Sequence, residues 1–121
     1  MSDNNLQDLL KVCDQKDEQI SGIIVFDMDD GRSLASTFSS EYDAKTIAIE
    51  RALTALDKDR IMKLDPVGSK NWTMYSYDRK VVATVKIRGS IWLSCEYKTE
   101  KAPSAAIEDA LEIALMANHK L

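Results

Sequence analysis

The chain of 121 residues has the length of one domain and is long enough to build a single core. Its hydrophobic fraction of 45% and charged fraction of 30% are typical of globular proteins, which argues against a disordered or fibrous class. A formal net charge of -4, without a basic arm or basic helix, makes nucleic acid an unexpected partner.

No apolar stretch approaches the roughly 18 to 20 residues that span a bilayer, so we predict no transmembrane segment. The polar start Met1–Asp8 is unlike a secretory signal. We therefore expect one cytoplasmic domain over residues 1–121.

The first predicted element is a short amphipathic helix over Asn4–Lys16, whose apolar residues recur at helical spacing. The next is Ile20–Phe26, which is rich in β-branched residues and apolar on both faces, as in a central strand that is covered above and below. The following Asp30-Gly31 step favours the left-handed backbone of a tight hairpin turn. Arg32–Phe38 is then the predicted returning strand.

A long helix is predicted over Glu41–Lys63, because the sequence before it resembles a capping box and a proline follows it. Three strand candidates come next, separated by gaps of hairpin length: Asn71–Tyr77, Val81–Ile87 and Ile91–Lys98. A last helix opens at Pro103. The order helix, strand, strand, helix, strand, strand, strand, helix predicts an α+β fold, with a five-stranded, mostly antiparallel sheet and helices on both faces.

The acidic stretch after the first strand is the most suggestive catalytic motif. Asp27 and Asp29 follow an apolar strand, as in haloacid-dehalogenase-type phosphatases, but the Gly and Thr that follow the second Asp in those enzymes are missing. A calcium loop would need an acidic ligand where Phe38 stands. His119 is the only histidine, and no serine-nucleophile motif or phosphate-binding glycine loop is present. We predict no enzyme activity and no catalytic, cofactor or metal site.

The central helix and the strand after it carry the strongest functional signal. On the helix, Ile49, Leu53 and Leu56 share a face that we expect to pack on the sheet, and a separate alanine stripe allows close approach of another helix. We expect Asn71–Tyr77 at a sheet edge, where pairing with the same strand of a second copy would protect it. The predicted dimer interface comprises Ala44, Ile47, Ala48, Arg51, Ala52, Ala55, Asn71, Trp72, Thr73, Met74 and Tyr75.

The stretch from Ser21–Asp27 through Asp30–Ser36 resembles the start of the roadblock family, which occurs in dynein light chains and in regulators of Ras-like GTPases. In that family too, a Gly plus an aliphatic run precedes an acidic-Gly hairpin and a strand of small residues. The likeness continues through the central helix, Leu64-Asp65-Pro66, the three-strand meander and the last helix.

The resemblance implies a dimer, with itself or with a roadblock-like paralogue, in which central helices and third strands meet. It also implies a non-enzymatic platform, without a cofactor, that regulates or scaffolds a Ras-like small GTPase.

Two other classes remain open. A profilin-like or longin-like domain would share the layering and bind actin or a trafficking partner. Profilin is the closer rival, because longins open with a strand and this chain opens with a predicted helix. A small-ligand-sensing domain is the second alternative, and it would need a pocket.

Overall fold

The computed structural model describes residues 2–38, 44–51, 72–77, 80–98 and 101–121. The elements follow the predicted order, and the α+β class is confirmed: α1 (Ser2–Lys16), β1 (Ile20–Asp27), β2 (Ser33–Ser36), α2 (44–51), β3 (Trp72–Tyr77), β4 (Lys80–Arg88), β5 (Ile91–Lys98) and α3 (Pro103–Asn118). Within this described part of the chain, no helix is long and apolar enough to cross a membrane.

The strands form one sheet in the order β2-β1-β5-β4-β3. Each of the described pairings, β1 with β2, β1 with β5, β4 with β5 and β3 with β4, is antiparallel. Among the described strands, β3 lies at one end of the sheet, as expected for an edge strand. The other end of the sheet is β2.

The two faces of the sheet carry separate apolar clusters, which explains why β1 is apolar at consecutive positions. Ile23 and Val25 lie in a cluster that includes Leu6 and Leu10 of α1 and the buried alanines of α3. Side chains alternate between faces along a strand. The intervening residues of β1 accordingly belong to a second cluster, which comprises Ile24, Phe26, Ala44, Ala48 and Trp92.

A polar contact ties α3 to the sheet beneath it. The hydroxyl of Tyr97, a residue that is 0% exposed, donates to Oδ2 of Asp109 at 2.6 Å. Burial is the main cause that raises the pKa of Tyr97, so the phenol stays protonated and keeps its donor role. This bond fixes α3 over β5.

The turn between β1 and β2 has the backbone that the sequence predicted. Gly31 adopts a φ of 70°, a left-handed conformation that a glycine adopts without a steric penalty. The returning strand is shorter than predicted, since β2 covers Ser33–Ser36 rather than Arg32–Phe38. Its register against β1 shifts between Val25 and Phe26, near the turn. Beyond Ser36, the hydroxyl of that residue accepts a hydrogen bond from the Phe38 amide at 2.9 Å.

Candidate interaction surface

The second helix packs on the sheet through its alanines, which is the reverse of the predicted orientation. Ala44 and Ala48 are 6% and 0% exposed and pack with Phe26 and Trp92, whereas Ile49 is 46% exposed. Two large rings already fill the space above this part of the sheet, and the small alanine side chains let the helix come close to them. The prediction that Ile49 packs on the sheet is therefore wrong.

Arg51 anchors the same face of α2 to β5. Its side chain is 3% exposed, and its Nη2 atom lies 2.9 Å from Oε1 of Glu96. Its Nε atom donates to the hydroxyl of Ser94 at 3.0 Å, and its Nη1 atom pairs with the neighbouring Glu50. The guanidinium thus makes charge-assisted hydrogen bonds inside its own chain. Arg51 was predicted as an interface residue, but this side chain is buried within the chain.

The partners of Arg51 belong to a polar stripe on otherwise apolar strands. Thr84, Ser94 and Glu96 are all less than 5% exposed. The hydroxyl of Thr84 donates to that of Ser94 at 3.0 Å, and Nζ of Lys80 donates to Oε2 of Glu96 at 3.1 Å. Sequence reasoning missed this network. A carboxylate at Glu96 among the apolar residues of a strand was the available signal, because a buried charge needs a partner.

The described part of α2 contacts the sheet at two places. In the β1–β2 turn, a Cβ atom built on Gly31 would be 3.0 Å from Cγ1 of Ile49. At its last described residue, Arg51 bonds to Ser94 and Glu96 of β5.

Two open clefts flank α2. One has a volume of about 400 Å³ and lies between the β1–β2 turn and the side of α2 that carries Lys45 and Ile49. The other has a volume of about 420 Å³ and lies between Phe38, Ile47 and the Lys80 side of the network. Both volumes are at the low end for small-molecule sites. Among the described residues there is no group of three or more His, Cys, Asp or Glu side chains that could hold a metal ion.

The acidic residues after β1 serve the turn itself. Oδ1 of Asp27 accepts the amide of Asp29 at 2.9 Å, and Oδ1 of Asp30 accepts the amide of Arg32 at 2.9 Å. Aspartates commonly close turns by accepting from the amide two residues later. These two carboxylates therefore have a local structural role.

The predicted interface residues of β3 lie on the edge strand. Trp72 and Met74 are partly buried and pack against the cluster beneath α1 and α3. Thr73 and Tyr75 are placed by their backbone pairing with Thr84 and Val82. Three predicted interface residues and two residues of the predicted sheet-facing stripe lie outside the described ranges: Ala52, Ala55, Asn71, Leu53 and Leu56.

No protein-family profile and no curated protein sequence matches the chain. Solved structures do match it. The roadblock/LC7 domain of Streptomyces avermitilis superposes with a TM-score of 0.79 at 10% identity, covering 93% of this chain and 94% of that chain. The gliding protein MglB of Thermus thermophilus superposes with a TM-score of 0.79 at 10% identity, covering 98% and 90%. Profilin II of Acanthamoeba castellanii gives 0.65 at 13% identity, covering 95% and 98%. The chain thus has a roadblock-type fold.

Proposed function

We propose that this chain is a non-enzymatic, dimeric platform that binds a Ras-like small GTPase and regulates or scaffolds it. The observation that carries the proposal is the geometry of β3. Its six residues pair with β4 without a register shift, and among the described residues β3 has a neighbouring strand on one side. A regular edge strand offers its backbone groups to another strand, and a two-fold dimer would satisfy them.

The exposed side of α2 adds to this surface. Ala44, Ala48 and Arg51 are buried within one chain and offer little area to a partner. Ile49 is a large apolar side chain left 46% exposed on the flank of α2 beside the β1–β2 turn, and Ile47 is partly buried on the other flank. The interface that we propose therefore combines these two isoleucines with the β3 edge, Trp72, Thr73, Met74 and Tyr75.

The GTPase part of the proposal rests on similarity. The Ser21–Ser36 stretch resembles the roadblock family, and the fold matches a roadblock domain and MglB over more than 90% of this chain. Two carboxylates that line the clefts have structural partners, since Asp30 accepts the Arg32 amide in the turn and Glu96 pairs with Arg51. The similarity to roadblock proteins therefore carries the GTPase part of the proposal.

The dimer is tested by light scattering during gel filtration over a range of concentrations. We expect a mass of twice 13.6 kDa for the natural chain. Ile49→Glu should shift the mass toward one chain, since a charge would be buried at the contact. Leu115→Glu, which places the same charge at an exposed apolar position of α3, is the matched control and should keep the dimer. A single-chain mass for the natural protein at every concentration would refute the homodimer.

The GTPase is tested with a panel of purified Ras-like small GTPases, each loaded with GDP or with a non-hydrolysable GTP analogue. We expect saturable binding of at least one of them with a preference for one nucleotide state, as an effect on the nucleotide cycle requires. The Ile49→Glu variant should bind more weakly if the dimer forms the platform. Absence of binding to the whole panel by a protein that is dimeric would contradict the GTPase role and leave the dimer intact.

A further inference from the structure

At the β2 end of the sheet, a glutamine of α1 covers the backbone groups of Ser36. The side chain of Gln7 donates from Nε2 to the carbonyl oxygen of Ser36 at 2.6 Å. The amide of Ser36 donates in turn to Oε1 of Gln7 at 3.0 Å. A carboxamide carries one carbonyl and one NH₂ group, so Gln7 offers Ser36 the same acceptor and donor that a residue of a neighbouring strand would offer.

The backbone groups of Ser36 face outward from the sheet. Its neighbour Thr37 donates its amide to the carbonyl of Ile23 at 2.9 Å, which is a bond toward β1. Successive residues of an edge strand direct their amides alternately toward the sheet and away from it. The amide and carbonyl of Ser36 therefore point away from β1, where a further strand would otherwise bind.

The position of Gln7 is fixed by the packing of its helix. Leu6 and Leu10, on either side of Gln7 in the sequence, are each 0% exposed and belong to the main core. Because these two leucines anchor α1 in the core, the helix holds the Gln7 carboxamide against β2. Removal of the carboxamide would thus leave α1 in place and uncover Ser36.

We propose that Gln7 is an edge guard, and that β2 becomes a strand-addition surface for a second copy of this chain once Gln7 is removed. Unpaired edges recruit strands from other chains, and proteins commonly cover such edges. A second copy supplies a complementary strand, because its own β2 is uncovered in the same way and its β3 is a regular edge strand. The proposal does not depend on GTPase binding or on a β3 dimer, since β2 lies at the opposite end of the sheet.

The test compares Gln7→Ala with Gln15→Ala, which removes an exposed carboxamide from the same helix. At protein concentrations too low for assembly, hydrogen exchange at the Ser36 amide should become roughly fivefold faster in Gln7→Ala and remain unchanged in Gln15→Ala, since a strand added to β2 would protect the amide again. Light scattering should show a mass that rises with concentration above that of the natural protein for Gln7→Ala alone. Faster exchange at Ser36 with the natural mass at every concentration would overturn the proposal.

A second substitution checks that β2 is the new contact. Ser36→Pro added to Gln7→Ala removes the outward N–H group, and a proline is tolerated at an outward-facing position of an edge strand. We expect the double variant to return to the natural mass; continued growth of the assemblies would refute the use of β2.

If Gln7→Ala fails to fold, Gln7→Met takes its place. Methionine has a similar length and a high helix propensity, but it offers Ser36 neither the donor nor the strong acceptor of the carboxamide. Folded Gln7→Met protein should also assemble beyond the natural mass, and the natural mass for that variant would overturn the proposal.

Discussion

The guanidinium of Arg51 lies 2.9 Å from the carboxylate of Glu96, and both side chains are almost fully buried. This contact joins the last described residue of α2 to β5. The same carboxylate receives Lys80 from the start of β4, a strand that pairs with the edge strand β3. One buried carboxylate therefore links α2 to β4, the strand next to β3.

Arg51→Ala should lower the free energy of unfolding by about 3 kcal/mol, because it leaves a buried carboxylate with one of its cations missing. Glu96→Ala should have a similar effect. The loss in the double variant should be clearly smaller than the sum of the two, since the side chains contact each other directly. Urea denaturation followed by circular dichroism measures all three.

Lys45→Ala is the control for these variants, because Lys45 is exposed on the same helix. It should change the free energy of unfolding by less than about 0.5 kcal/mol. Strict additivity of Arg51→Ala and Glu96→Ala would contradict the direct contact.

Ala48→Leu should destabilise the fold by about 1 to 3 kcal/mol, because there is no room for a larger side chain between α2 and the rings of Phe26 and Trp92. Ile49→Ala should cost less than about 1 kcal/mol, since nearly half of that side chain is already exposed. Denaturation of both variants at low protein concentration, where dimerisation contributes least, compares the two faces of the helix. A larger loss of unfolding free energy for Ile49→Ala than for Ala48→Leu would instead support the predicted orientation, in which Ile49 packs on the sheet.

Gly31→Ala should be more destabilising than Gly89→Ala. Both glycines have positive φ angles, 70° and 57°, so each substitution costs about 1 kcal/mol for the backbone alone. A Cβ at position 31 would also press on Ile49 at 3.0 Å, whereas a Cβ at position 89 would meet nothing within 4 Å. The difference between the two losses, measured by thermal and urea denaturation, isolates the contact of the β1–β2 turn with α2. Equal losses would show that α2 does not press on the turn.

Asp17 should contribute to the acid sensitivity of the fold. Burial tends to raise the pKa of Asp17, but hydrogen bonds from the Gln19 amide and from Lys101 outweigh it and hold the pKa below the ordinary 3.8. A lowered pKa means that the stabilisation is present above pH 3.8 and is lost as the pH falls through the lower folded-state pKa. In the Asp17→Asn variant, the free energy of unfolding should therefore fall less steeply than in the natural protein as the pH is lowered below 3.8.

Denaturation profiles at a series of pH values, at constant ionic strength, test the contribution of Asp17. Asp8→Asn is the control, because Asp8 is exposed on α1. Its profile should remain parallel to that of the natural protein. Profiles of equal slope for Asp17→Asn and the natural chain would contradict the role of Asp17.

Local signals predicted much of the fold. The Asp30-Gly31 step predicted a left-handed turn, and Gly31 has the φ that this turn needs. Gaps of hairpin length predicted β5 over Ile91–Lys98, and the strand has these bounds. These features depend on the conformational preferences of one or two residues or on a simple period, and a single sequence displays both.

The amino-acid sequence by itself thus determined the order of helices and strands, the turn at Gly31 and the edge position of β3. The tertiary structure decided which side of α2 meets the sheet, because two faces of that helix are apolar and only the bulk of Phe26 and Trp92 selects the alanines. It also decided that Arg51 is an internal anchor and that Gln7 covers β2. Arg51 and Glu96 are 45 positions apart in the sequence, and Gln7 and Ser36 are 29 positions apart, so no local pattern encodes either contact. Both contacts depend on how the packed elements fit together.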